Sequence, residues 1–464
     1  MKSYLIKSFL LLSIIFVSIY AQHDESSLYK QRREIFISRM LDSSIAFFEA
    51  EDQKIRTNDI EYKFKQDPNF QYLTGVIEPK AFLILFKPNI ILGEKKVSEI
   101  LFVRESNKMF SRWVGDLLGF VKAKEISGVD TVLNYSEFSE TFKKYVAGRK
   151  YIYIGKEDYS FRKDYLTDVK YNYLEDRKNR LKELYPELKI KSSNEILADM
   201  REVKSSEEIE KIRKAIDATV AGYIEAMKSC EPGLNERDIQ AVIEYVFMRK
   251  GCNSLAFPSI VGSGQNALIL HYENNNSLIN DGDLLLMDIG AEFEGYSADL
   301  SRTIPANGKF TKEQKAIYSI VLKASEETIK IMLPGTKRED VEKKAADVIA
   351  NGLLSLGIIK DKKDVRTYLP HGVSHNIGLD VHDISTNKPL REGQVVTIEP
   401  GIYIPVGSKG VDKKYWGIGV RIEDDVLITK EGNEVLTRKA PKSIEEIEKI
   451  MFKKGIGNFD IGSY

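Results

Sequence analysis

Thiols are scarce in this chain. Cys230 and Cys252 are its only cysteines among 464 residues, too few for a disulfide scaffold, a thiolate zinc site or an iron–sulfur cluster. Spacing alone leaves open whether the two pair or remain buried thiols. Net charge is lacking as well: Lys+Arg and Asp+Glu stand at 69 each, so no overall field favours nucleic acid or an anionic membrane as a partner. Tandem repeats and low-complexity tracts are absent, which excludes a solenoid. Long apolar runs are missing too, with one short exception. Phe9 to Ala21 is apolar over thirteen residues behind Lys2 and Lys7, and the polar Gln22-His23-Asp24-Glu25 follows. This is the pattern of a signal peptide over 1–21, short of the roughly twenty residues that cross a bilayer. Small Ala21 sits where cleavage would fall, and no nearby cysteine could take a lipid. The expectation is an exported mature chain, periplasmic or secreted, without a membrane span; the alternative is an uncleaved N-terminal anchor.

What is present is ordinary globular material, 42% hydrophobic and 30% charged, long enough for about two to four domains. From 30 to 197 the pattern alternates. Arg32 to Met40 has helical spacing, while Ala81 to Phe86, Ile100 to Val103 and Tyr151 to Ile154 read as short buried strands, together one α/β domain. The charged stretch Glu157 to Lys191, with Pro186 near its end, reads as a mostly helical connector with a solvated face. The character changes near Ala198, so a second domain is expected over 198–464. Ser205-Ser206-Glu207-Glu208 is a helix N-terminus ahead of Ile209, Ile212, Ile216 and Val220. Helices are expected at Glu236 to Lys250, Lys312 to Met332 and Glu339 to Leu356. Strands are expected at Asp283 to Ala291, Tyr296 to Ile304, Gln394 to Ile404 and Gly419 to Thr429. The order of helix followed by carboxylate-bearing strand occurs twice.

Histidine is also rare, yet four of the five fall between His271 and His382. The same region places acids inside apolar, β-prone runs. Asp288 ends Leu284-Leu285-Leu286-Met287, and Glu294-Gly295 supplies a hairpin turn before Tyr296-Ser297-Ala298-Asp299 returns. In such a hairpin Asp288 and Asp299, eleven apart, share a face, and two like charges so placed require a proton or a cation between them. Glu399 ends Val395-Val396-Thr397-Ile398 and precedes Pro400-Gly401. In Val420-Arg421-Ile422-Glu423 the strand period puts Arg421 and Glu423 on one face. Any one of these acids alone reads as a surface or salt-bridged position; four together point to bound cations. His371-Gly372-Val373-Ser374-His375 and His382 add imidazoles. Four carboxylates and one imidazole can hold two divalent ions in near charge balance with a bridging hydroxide. Oxygen-rich ligation with one nitrogen suits manganese, with cobalt or zinc as alternatives.

These residues carry a family likeness. Met287-Asp288-Ile289-Gly290-Ala291, Gly295 to Thr303, His371 to His375, Gly378 to Asp383, Thr397-Ile398-Glu399-Pro400-Gly401-Ile402-Tyr403 and Gly417 to Asp425 resemble the aminopeptidase P and prolidase branch of the metallopeptidases. The stretches Tyr62 to Asp67 and Asn69 to Gly75 resemble the N-terminal domain of aminopeptidase P. The resemblance implies an α/β N-terminal domain followed by an α+β catalytic domain of the pita-bread type, like creatinase and methionine aminopeptidase. It implies two divalent metal ions, with Asp288 chelating one, Asp299 and Glu423 bridging both, and His375 with Glu399 completing the other. By the same likeness His271 and His382 contact substrate near the scissile bond, and His371 and Arg421 support substrate and ligands from beside the metals.

The implied reaction is release of the N-terminal residue from peptides with proline second, a metal-bridging hydroxide attacking the amide and Glu399 shuttling the proton. The proline amide has no N–H, so recognition must use ring shape and the free amine. The rival within the enzyme class is an Xaa-Pro dipeptidase of the prolidase type. Methionine aminopeptidase fits the long preceding domain poorly, and the complete ligand set argues against metal-free creatinase-like chemistry. Outside that class stands a catalytically silent peptide-binding protein on the same fold. Relatives are often oligomeric, which admits a homo-oligomer.

Overall fold

Residues 44–192 supply one mixed sheet of six strands. In spatial order these are Lys189–Ser192, Tyr151–Ile154, Ser44–Glu49, Phe82–Leu92, Lys95–Val103 and Thr131–Asn134. The three central strands are antiparallel and the flanking ones join in parallel. The structure is a computed structural model that describes residues 25–458, apart from 107–110, 114, 156–161, 165 and 167. The apolar run read as a signal peptide lies outside the described residues.

The sheet is buried on both faces, which is why its strands read as unbroken apolar runs. Ile45, Phe86 and Ile152 stand in register on one face, and Ala46, Leu85 and Tyr153 on the other. The first face forms a separate core against the helices Phe138–Val146 and Tyr173–Leu184. The second face joins a single apolar cluster that continues through the rest of the molecule as far as Ile447. The connector expected to be mostly helical from Glu157 to Lys191 is corrected here. Helix is confined to Tyr173–Leu184, the ribbon of Arg162–Asp164 with Val169–Tyr171 precedes it, and Lys189–Ser192 pairs with Tyr151–Ile154 as an edge strand. Two exposed lysines flank Ile190, which packs inward; charge on an edge strand is common and masked its pairing.

Beyond Ser205 helix pairs alternate with β-hairpins. The helix Ser206–Ser229 opens on a capping box between Ser205 and Glu208, and Glu236–Arg249 on one between Asn235 and Asp238. A third, between Thr311 and Gln314, starts Lys312–Ile329, and Arg338–Ser355 follows. Among the described residues no helix is long and apolar enough to cross a membrane. Cys230 and Cys252 are both buried and free.

Each of the four long strands expected in this region is broken in two. The pieces are Leu284–Ile289 and Ala291–Phe293, Tyr296–Ser297 and Leu300–Pro305, Val395–Ile398 and Gly401–Ile404, and Ile418–Arg421 and Asp424–Ile428. Register survives the breaks. Asp288 opposes Ser301 and, across the interruption, Glu292 opposes Ser297, so Asp299 falls opposite Gly290 and shares a face with Asp288. The turn between them has φ of 50° at Glu294 and 87° at Gly295, as a two-residue hairpin loop requires. In the second hairpin Ile398 opposes Asp424 and Gly401 opposes Arg421, which sets Glu399 across from Glu423. The hairpins are tied together by Glu423 N–H to Ser301 O at 3.0 Å and by the buried pair Arg302–Asp424 at 2.8 Å.

Candidate metal centre

The strand breaks and the acids coincide. Asp299, Glu399 and Glu423 each stand in a gap between strand segments, and Asp288 is two residues before its own gap at Gly290. A carboxylate in a gap can turn toward a ligand without surrendering a ladder bond, since the ladder is already open there. Asp299 Oδ2 lies 3.4 Å from His375 Nε2, Glu399 Oε1 3.7 Å and Glu423 Oε1 4.0 Å. Asp299, His375 and Glu423 can offer ligand atoms within 4.8 Å of one another.

The imidazole fixes the sign of what belongs there. His375 Nδ1 is 3.0 Å from the Asn376 carbonyl, so it carries the proton and Nε2 turns its lone pair toward three carboxylates. Lone pair against carboxylate is repulsive unless a cation stands between them. Asp288 Oδ1 and Asp299 Oδ1 are moreover buried without a partner, a costly state for a charged oxygen. Burial, followed by Asp288, Asp425 and Glu399, holds the Asp299 carboxyl well above the usual range. Burial again, with Asp299, Glu399 and Asp288, does the same at Glu423. Glu399 is pushed up to about 7, chiefly by burial. Orphaned oxygens, repelling carboxylates and an open imidazole nitrogen together fit divalent cations.

All nine residues singled out from the sequence line one cavity of about 270 Å³: His271, Asp288, Asp299, His371, His375, His382, Glu399, Arg421 and Glu423. Their settings differ. His271 and His382 are exposed, the latter with its ring 4.2 Å from that of His375. His371 is seated by Tyr403 OH at 3.0 Å and the Gly372 carbonyl at 2.7 Å, and burial lowers its pKa to about 4, so the ring is neutral at neutral pH. Arg421 is buried, and its bonds run to Ser301 Oγ at 2.9 Å, Tyr403 OH at 2.8 Å and Asp288 Oδ2 at 2.6 Å.

Four contributors were not singled out from the sequence. Tyr403 joins Arg421 to His371. Ser301 donates to Glu423 Oε2 at 2.9 Å while accepting from Arg421. Asp425, pushed up to about 8 by burial, accepts the Asp299 N–H at 3.2 Å. Asn376 fixes the His375 tautomer. Strand periodicity offered a signal for two of them: Ser301 is two residues from Asp299, and Tyr403 two from Gly401, opposite Arg421.

The chain that carries this site is similar to known proteins over most of its length. The model of "Metallopeptidase family M24" matches residues 210–430, and that of "Aminopeptidase P, N-terminal domain" matches 29–153. The Xaa-Pro aminopeptidase of Escherichia coli K12 is 36% identical over 435 residues, covering 91% of this chain and 97% of its own. A solved structure of E. coli aminopeptidase P with the inhibitor Pro-Leu superposes with a TM-score of 0.83 at 34% identity, over 92% of this chain and 98% of that one. A putative aminopeptidase P from Bacillus anthracis gives 0.84, also at 34% identity, over 93% and 99%.

Proposed function

The chain belongs to metallopeptidase family M24, in the branch that carries the aminopeptidase P N-terminal domain, and from that membership we propose a metal-dependent Xaa-Pro aminopeptidase that releases the first residue of peptides with proline second. The observation that carries this reading is the cluster of Asp299, His375, Glu423 and Glu399 around unpartnered carboxylate oxygens, in a chain that matches its relatives over nearly their full length. Asp288, Asp299, His375, Glu399 and Glu423 would hold two divalent ions, manganese by preference, with cobalt or zinc as alternatives. When bound, such a pair supplies activated water at neutral pH and polarises a carbonyl.

The chain's own residues take the remaining roles. Glu399 sits 3.6 Å from His371 Nδ1 on one oxygen and faces His375 with the other, well placed to pass a proton to the departing proline nitrogen. His271 and His382, at the cavity mouth, would hold the peptide about the scissile bond. Arg421, anchored on Tyr403 and Ser301, would fix Asp288 and keep His371 in place. We further propose that the division of labour follows 30–197 and 198–464, supported by a first sheet drawn wholly from 44–192, and that the chain is exported, supported by the apolar run ending at Ala21.

The test is release of the first residue from an Xaa-Pro-Xaa peptide with added manganese and with chelator. Metal-dependent release is expected, with weaker turnover of an Xaa-Pro dipeptide. Activity confined to the dipeptide would make the protein a prolidase-type enzyme, and none on either would leave a peptide-binding protein. A folded Glu399→Gln variant with full activity would remove Glu399 from proton transfer.

A further inference from the structure

The helix Asn194–Glu202 ends in two buried residues of opposite charge, Arg201 at 2% and Glu202 at 0% exposure. Neither touches the metal centre. Arg201 Nη2 donates to Asp383 Oδ1 at 2.5 Å and to Asp380 Oδ2 at 2.9 Å, and the other Asp383 oxygen lies 3.2 Å from buried Lys204. Glu202 accepts from Thr386 Oγ1 at 2.6 Å and from Asn376 Nδ2 at 3.3 Å. Arg201 and Glu202 thus grip the segment 376–386 near its middle and at both ends.

That segment belongs to no helix or sheet; one isolated bridge joins its Asn376 to Val396, and a second closes the segment on itself between Asn376 and Asp383. It nevertheless carries exposed His382, and its first residue receives the His375 Nδ1 bond. An irregular segment cannot hold an imidazole to the roughly 0.5 Å that a reacting geometry needs unless something rigid fixes it. Arg201 is itself fixed from the other side, where its Nη1 donates to Asn69 Oδ1 at 2.7 Å, in the helix Pro68–Thr74 of the N-terminal domain. Burying charges this deeply is a poor source of stability, since desolvation offsets most of the attraction. A positional role accounts for them better.

We propose that Arg201 and Glu202 are positioning residues for Xaa-Pro hydrolysis: they clamp segment 376–386 so that His382 is held over the cavity, and through Asn69 they make the N-terminal domain part of that hold. This rests on the peptidase reading above. Arg201, whose bonds in the segment run to Asp380 and Asp383, acts through His382, so its effect must vanish when His382 is absent, whereas Glu202 also holds Asn376 beside His375 and should keep part of its effect.

The experiment measures kcat and KM of the metal-loaded full chain on an Xaa-Pro-Xaa peptide for Arg201→Lys, Glu202→Gln and Asn69→Ala, each with His382 present and with His382→Ala. It also follows hydrogen exchange over 376–386 in the metal-free proteins. Arg201→Lys is expected to lower kcat by roughly 100-fold with a much smaller change in KM, and Asn69→Ala by several-fold. In the His382→Ala background the same changes should cost about twofold or less, and exchange over 376–386 should rise while that of the helix Ser206–Ser229 stays as it was. Undiminished losses in the His382→Ala background, or unaltered exchange, would overturn the clamp while leaving the peptidase reading intact. A parent protein that cleaves no Xaa-Pro peptide with metal would overturn both. Should Arg201→Lys fail to fold, Asn69→Ala, which preserves the Arg201–Asp383 pair, carries the same comparison.

Discussion

Asp299 and Glu423 place charge where a folded protein tolerates it least, and the metal-free chain should reveal this in its response to pH. Glu399 at about 7 and Asp425 at about 8 both lie above their ordinary values, and Asp299 and Glu423 are raised as well. A carboxyl raised on folding binds more protons folded than unfolded, so stability falls as pH rises through the folded value. His371, lowered to about 4, acts oppositely, but only below about 6.5, where the unfolded imidazole charges. The clean window is therefore pH 6.5 to 8.5. The chelated protein should melt lower at pH 8.5 than at 6.5 by calorimetry, and saturating manganese should flatten the difference; a Tm that rises across the window would contradict the assignment. Asp299→Asn removes one of the repelling charges. At pH 8.5 the chelated variant should melt above its parent, while bound metal drops and turnover falls by more than the ~100-fold that loss of a mere support to a ligand costs. These residues were legible in the sequence because a carboxylate within an apolar strand is anomalous. Tyr403 and Ser301 were not, since a hydroxyl in a strand is ordinary and only the partner that reaches it makes it part of the site.

The strands show what periodicity reveals and what it misses. Their positions and register were readable, and the shared face of Asp288 and Asp299 follows from the turn at Glu294-Gly295. The breaks were not, because a strand opened for a ligand has the same alternation as one that continues. The small residues that follow the acids are the trace: Gly290 two residues after Asp288, and Gly401 two residues after Glu399. At Gly290 a Cβ would stand 1.9 Å from the Ala298 carbonyl oxygen, so the two chains approach there as only glycine permits. Gly290→Ala should therefore push Asp299 away from Asp288, costing about 3 kcal/mol or more in denaturant unfolding together with loss of bound metal. A variant that retains stability and metal would show that the close approach is dispensable. Helix starts were the most legible elements, because Ser205 with Glu208 and Thr311 with Gln314 form local capping boxes that need no tertiary partner. The edge strand Lys189–Ser192 was the least legible, because its pairing is supplied entirely by a strand 35 or more residues earlier.

At the scale of the molecule two family domains are matched, over 29–153 and 210–430, and their joint was hidden in the sequence. Arg32, Glu208 and Arg201 read as ordinary helix charges, whereas in the fold they are interior. Arg32 Nη2 lies 3.1 Å from Glu208 Oε2, its guanidinium packs 4.0 Å over the Tyr72 ring, and Glu208 also accepts from Tyr296 OH at 3.0 Å. The inner face of the first sheet belongs to the same apolar cluster as the catalytic helices. Melting either half alone would expose that face to water and strand Glu208 or Arg32 without its partner. Domains within a chain commonly meet through smaller, more polar surfaces and melt apart; here a continuous core predicts one cooperative transition. Calorimetry of the full chain should show a single peak whose van't Hoff and calorimetric enthalpies agree, and two resolved peaks would refute a shared core. Arg32→Met sharpens the point, since it leaves buried Glu208 without its cation, with the neutral donors Tyr296 OH and Ser205 N–H as its remaining partners. It should cost about 3–5 kcal/mol and lower the single transition as a whole, because the halves have no independent core boundary along which to separate.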